Sequence, residues 1–116
     1  MSLILALTLL AAPPAFTGTV PQPNPALDAA HACLRTALAT MLTGEAPEPA
    51  PQQRWDWALQ IADRCEAQIN AAADSKEAVT LYAEVSHGTI TRRQVLRSEA
   101  LYFVDRLIRE HFEARS

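Results

Sequence analysis

Glycine is scarce in this chain, with three residues among 116, at Gly18, Gly44 and Gly88. That excludes a collagen-like repeat, and no glycine-rich phosphate loop is present. Two cysteines are too few for a disulfide-dense mini-scaffold or a four-thiolate zinc site. The net charge of -3 argues against a nucleic-acid binder held by charge alone. No side chain carries charge before Asp28. No segment alternates as a strand would, and no H-E-x-x-H, C-x-x-C or G-x-S-x-G arrangement occurs. What remains is a hydrophobic fraction of 49%, too high for a fully disordered chain and enough for one modest core.

That fraction is unevenly spread. Outside the first twelve residues, and leaving alanine aside, 28 of 104 residues are hydrophobic, so the folded part is alanine-rich and short of large core side chains. Leu3 to Ala12 is a continuous apolar run. It is about half of the ~20 residues a membrane-spanning helix needs. It matches the apolar stretch of a secretory signal peptide, with residues 1–12 removed and Ala12 the expected last one. No Lys or Arg precedes the run, so either the signal is atypical or the true start lies upstream. An apolar helix docked on the domain and a retained membrane anchor are the other two readings. Residues 13–25 carry five prolines and no charge, which predicts an extended linker.

The domain over 26–116 is expected to be all-α, with helices over about 25–43, 52–73, 75–87 and 91–114. Asn24 and Pro25 suit the start of the first, and Gly44 its end. Ala30, Leu34 and Leu38 lie on its apolar face. The second carries Ala58, Ile61, Ala62, Cys65, Ile69 and Ala72 on one side. Asp74 with Glu77, and Thr91 with Gln94, read as capping boxes. The last helix has a broad apolar arc that includes Leu96, Ala100, Val104, Ile108 and Phe112, so it is expected to be the most buried.

Cys33 and Cys65 are equidistant from the proline-rich connection at residues 45–51. In an antiparallel helical hairpin such residues sit at one height, so the spacing predicts a Cys33–Cys65 disulfide stapling a four-helix domain. A bridge of this kind belongs to an oxidising compartment, in agreement with an export signal, and the expected localisation is periplasmic or secreted.

The remaining candidates carry weaker chemistry. His31 and Cys33 diverge around their helix, His87 falls on a polar side, and His111 lies in the apolar arc of the last helix. None has a recognised ligand spacing, so neither a metal nor a cofactor is expected. Asp63 and Glu66 are three apart and could share one helix surface as an acid–base pair, although solvated carboxylates are commoner. Ser86 and His87 are adjacent but lack a nucleophile elbow. Arg92, Arg93 and Arg97 crowd the start of the last helix, and Glu110 and Glu113 its end, against the macrodipole. Pairing with Glu77 or Glu84 would explain the arginines; a basic patch for an acidic partner or lipid phosphates is the functional alternative. Trp55 and Trp57 face different sides of their helix. Trp57, with Arg92, Arg93 and Arg97, forms the expected partner-binding set, the other reading being that Trp57 packs on the domain. The expected role is a non-catalytic interaction or structural one in the cell envelope, with an unknown protein partner and no nucleic acid. Membrane-surface contact or an N-terminal anchor is the second reading, and a small enzyme the third.

Overall fold

The computed structural model describes residues 24–44, 46–82 and 90–115. The apolar run, the linker up to residue 23, and residues 83–89 with Ser86, His87 and Gly88 lie outside the described residues. The described residues form five helices: α1 (Pro25–Met41), α2 (Pro51–Arg64), α3 (Glu66–Ala73), α4 (Lys76–Leu81) and α5 (Arg92–Arg115).

Local chemistry accounts for most boundaries. Asn24 Oδ1 accepts the Leu27 N–H at 3.0 Å, and Pro25 fills the first helical position of α1, where its missing N–H costs nothing. After α1 the chain turns through Gly44 at φ +78°, a left-handed conformation that glycine tolerates. α5 opens on a reciprocal capping box. The Thr91 N–H donates to Gln94 Oε1 at 2.7 Å, and the Gln94 N–H donates to Thr91 Oγ1 at 3.2 Å.

Two boundaries depart from the sequence reading. The helix expected over 52–73 is broken at Cys65, which has φ -107° and ψ 19° and shares its N–H between the carbonyls of Ile61 and Ala62. No proline or glycine marks the spot; the break falls on the bridged cysteine. The cap of α4 is Ser75 and not Asp74. Ser75 Oγ accepts the Ala78 N–H at 3.2 Å and donates to the Ala72 carbonyl at 2.7 Å, which releases the Asp74 carboxylate for another partner. α4 is also a weaker core element than its pattern predicts. Ala78 is buried, but Val79 and Leu81 are 42% and 74% exposed.

The expected disulfide is present. Cys33 and Cys65 are joined, with Cα atoms 5.9 Å apart, tying α1 to the α2–α3 junction. Residues 54, 55 and 63 of α2 meet residues 105, 102 and 97 of α5, so these two helices run antiparallel. α1 runs in the direction of α5, since His31 stacks on Phe103 and Arg35 shares a groove with Leu107. α1, the broken α2–α3 helix and α5 thus enclose one core.

Seven of the sixteen buried apolar residues are alanine, so the helices meet largely through small side chains and can approach closely. Leu34, Ile61, Val104, Ile108 and Cys65 are the largest fully buried ones. α5 contributes Leu96, Ala100, Val104, Ile108 and Phe112, one every fourth residue, flanked by half-buried Leu101, Phe103 and Leu107.

A core this thin leans on its cross-link. Changing Cys33→Ala and Cys65→Ala together should lower the unfolding free energy by roughly 3–4 kcal/mol in the chain-entropy treatment. Urea denaturation measures it, and reductant should shift the unchanged protein by a similar amount. A loss too small to separate from fitting error would show that packing alone holds the hairpin.

Candidate functional site

The three arginines at the start of α5 are placed by the turn that precedes it. Arg92 Nε donates to the Ala73 carbonyl at 3.2 Å, satisfying an acceptor at the end of α3. Arg93 grips the Asp74 carboxylate with Nη2 at 2.6 Å and Nε at 3.3 Å. This grip holds Asp74 below the usual carboxylate range, the hydrogen bond from Arg93 being the largest cause. Arg97 reaches across to α2 and donates to Asp63 Oδ1 at 2.8 Å. The arginines therefore have internal partners, Asp63, Asp74 and a carbonyl in place of Glu77, while Glu84 lies outside the described residues. Arg93 and Arg97 also line a groove of about 220 Å³ with Glu66, Asn70 and Gln94. Asp63 and Glu66 do not act as a pair on one continuous helix, because the break at Cys65 lies between them.

A second set of contacts bridges α2 and α5 further along. Asp105 receives Arg54 Nε from α2 and, at 3.1 Å, Arg109 Nε from its own helix. Arg54 and Asp105 are 18% and 15% exposed, the least exposed ion pair among the described residues. Between this triad and Arg97–Asp63 lies an aromatic pair, Trp55 on Tyr102, with ring centroids 5.4 Å apart and planes inclined at 59°. Tyr102 remains 64% exposed. Trp57 instead packs half-buried against the core. Trp55, which the sequence analysis left out of the partner-binding set, is the tryptophan that meets Tyr102 on this seam. Its signal in the sequence is Tyr102, which stands outside the apolar arc of α5 at the height of Trp55 on an antiparallel neighbour.

The histidines occupy separate places. His31 is half-buried and stacks on Phe103, centroids 4.2 Å apart. Phe103 also carries the guanidinium carbons of Arg35 at 5.2 Å and Arg106 at 5.6 Å. Burial first, then Arg35 and Arg106, push the His31 imidazole below its ordinary value of 6.5 against the opposing pull of Asp28 and Glu99. His31 also borders an apolar cleft of about 110 Å³ between α1, α3 and α5, with Leu27, Ile69, Leu96 and Glu99 among its walls. The Glu99 carboxylate accepts the Tyr82 hydroxyl at 2.8 Å. Burial, and next that hydrogen bond, push the phenol up to about 12. His111 meets Phe112 edge-on at 4.9 Å. Among the described residues no group of three or more His, Cys, Asp or Glu is placed to hold a metal ion.

Compared with protein-family models, curated proteins and solved structures, the chain finds no match.

Two outcomes test this reading of the polar groups. Asp105→Ala leaves the largely enclosed Arg54 without its carboxylate and should cost about 2 kcal/mol. Arg93→Gln breaks a fully solvated pair and should cost clearly less than Asp105→Ala. Equal losses in urea denaturation would mean that enclosure does not set the strength of these pairs. For His31, neither the folded nor the unfolded chain is protonated well above pH 6.5. Below 6.5 the unfolded chain takes up the proton first, so stability should fall as the pH falls toward the lowered folded value. The thermal midpoint of His31→Gln should therefore be less sensitive than that of the unchanged protein between neutral pH and pH 5. Parallel profiles would remove His31 from the acid response.

Proposed function

We propose that this chain is an exported, disulfide-stapled helical protein of the cell envelope that binds a protein partner through the α2/α5 seam. The observation that carries the reading is the pair of exposed Tyr102 and half-buried Trp55, flanked by Arg97–Asp63 on one side and Arg54–Asp105–Arg109 on the other. Trp, Tyr and Arg are the residue types that dominate binding hot spots, because each brings a large contact area together with a polar group. On this seam they are held by cross-helix contacts, so less side-chain freedom is lost on binding. Arg93 and Arg97, and the groove they line, extend the surface toward α3, and Arg92 supports it from beneath through the Ala73 carbonyl. Trp57 contributes by packing the helix that presents Trp55.

Export is supported by two features. The Cys33–Cys65 bridge suits an oxidising compartment. The apolar run over residues 3–12 has the length of a cleavable signal. Among the described residues no helix is long and apolar enough to cross a membrane.

A photo-crosslinking side chain at position 102, in protein expressed in its native host, should trap a discrete partner from the envelope fraction. The same group at Thr36, on the exposed side of α1, should not. Equal trapping at both positions, or none at 102, would remove the seam from the proposal. The intact mass of the recovered protein should correspond to loss of about the first twelve residues, and retention of Met1 in a cytosolic product would overturn export.

A further inference from the structure

We infer that the groove between the C-terminal halves of α1 and α5 binds a medium-chain fatty carboxylate. The groove measures about 330 Å³ and is lined by Arg35, Leu38, Ala39, Leu42, Leu107 and His111. It lies apart from the α2/α5 seam and does not depend on the function proposed for that seam.

Its floor is aliphatic, with Leu38, Ala39 and Leu42 from α1 facing Leu107 from α5. From Arg35 to Leu42 it follows α1 for about 10 Å, at 1.5 Å per residue. An extended octyl chain has that length. Its volume is at the lower end of the ~300–1,000 Å³ range of small-ligand sites.

Arg35 lines one end of the groove. Arg35 makes no ion pair among the described residues; its guanidinium rests 5.2 Å over the Phe103 ring. Arg106 stands 5.6 Å from the same ring and meets Glu110 only at 3.8 Å. Two guanidiniums thus share one aromatic ring, and the Arg35 guanidinium lines the channel. A guanidinium fork matches a carboxylate in geometry and charge, and would leave an ammonium head group repelled. At the far end the His111 ring stands edge-on to Phe112 and walls the channel. Apolar floor, single-chain length and the Arg35 guanidinium lining one end together describe a fatty carboxylate, head at Arg35 and tail toward Leu42.

The test is a nitrogen–proton NMR titration of the full, disulfide-bonded chain with octanoate, octanol and octylammonium. Octanoate should shift amides within residues 35–42 and 107–111, saturating in roughly the millimolar range expected for so small a ligand. Octylammonium should produce no saturable shift there. Arg35→Gln should weaken octanoate roughly tenfold and leave octanol unchanged, since one charge-assisted contact is lost and the floor is intact. Arg35 is exposed, and an unchanged thermal midpoint would confirm that the variant folds. Equal response to octanoate and octylammonium, insensitivity to Arg35→Gln, or shifts centred on the His31–Glu99 cleft would each overturn the proposal. So would response of these amides to anionic vesicles but not to octanoate, which would assign the face to a bilayer. Shifts at these amides on raising protein concentration alone would assign it to a second copy of the chain and overturn the proposal equally.

Discussion

The Cys33–Cys65 bridge is the constraint on which the other contacts rest. It joins α1 to the junction of α2 and α3, across a connection whose described residues, 42–44 and 46–50, have no regular structure. Cys65 is fully buried and lies where the long middle helix is interrupted. One covalent link therefore fixes the height of α1, seals the centre of the core and coincides with the break that separates α2 from α3. A small domain with few large apolar side chains gains little from burial alone, and cross-linking the unfolded chain supplies stability by another route.

Alanine has the complementary effect. Ala58, Ala62 and Ala73 are completely enclosed and bring helix backbones together without filling much volume. The larger side chains are then concentrated in a few positions, with Leu34, Ile61, Val104 and Ile108 at the centre. Because the apolar layer is narrow, polar groups stand close to it. Arg54 with Asp105 and Arg97 with Asp63 bridge α5 and α2. Cations at the N-terminus of α5 would oppose its dipole. Arg93 and Arg97 avoid isolation by reaching carboxylates on the preceding turn and on α2, and Arg92 reaches a carbonyl.

Much of this was legible beforehand. The caps at Asn24 and Thr91 follow from local hydrogen-bond chemistry, and the apolar faces of α1, α2–α3 and α5 follow from helical spacing. The bridge followed from the two cysteines being equidistant from one connection. The break at Cys65 was not legible, since no residue there breaks helices by itself. Nor were the arginine partners. Glu77 was a natural choice by sequence distance, but the pairing depends on which helices cross, and α5 crosses α2 at Asp63. Trp55 and Trp57 look alike in sequence; only the direction of α5 puts Tyr102 beside the first.

The sequence by itself determined the helical class, the capped ends, the thin alanine-rich core and the pair of cysteines to be joined. These depend on spacing within a helix or on symmetry about one turn, and both are properties of a short stretch of chain. Tertiary structure alone decided where the middle helix breaks, which carboxylates hold the arginines, which tryptophan meets Tyr102, and that Arg35 and Arg106 share one aromatic ring. Each of these depends on the distance between side chains far apart in sequence, and that distance exists only once three helices have chosen their heights and directions around a common core.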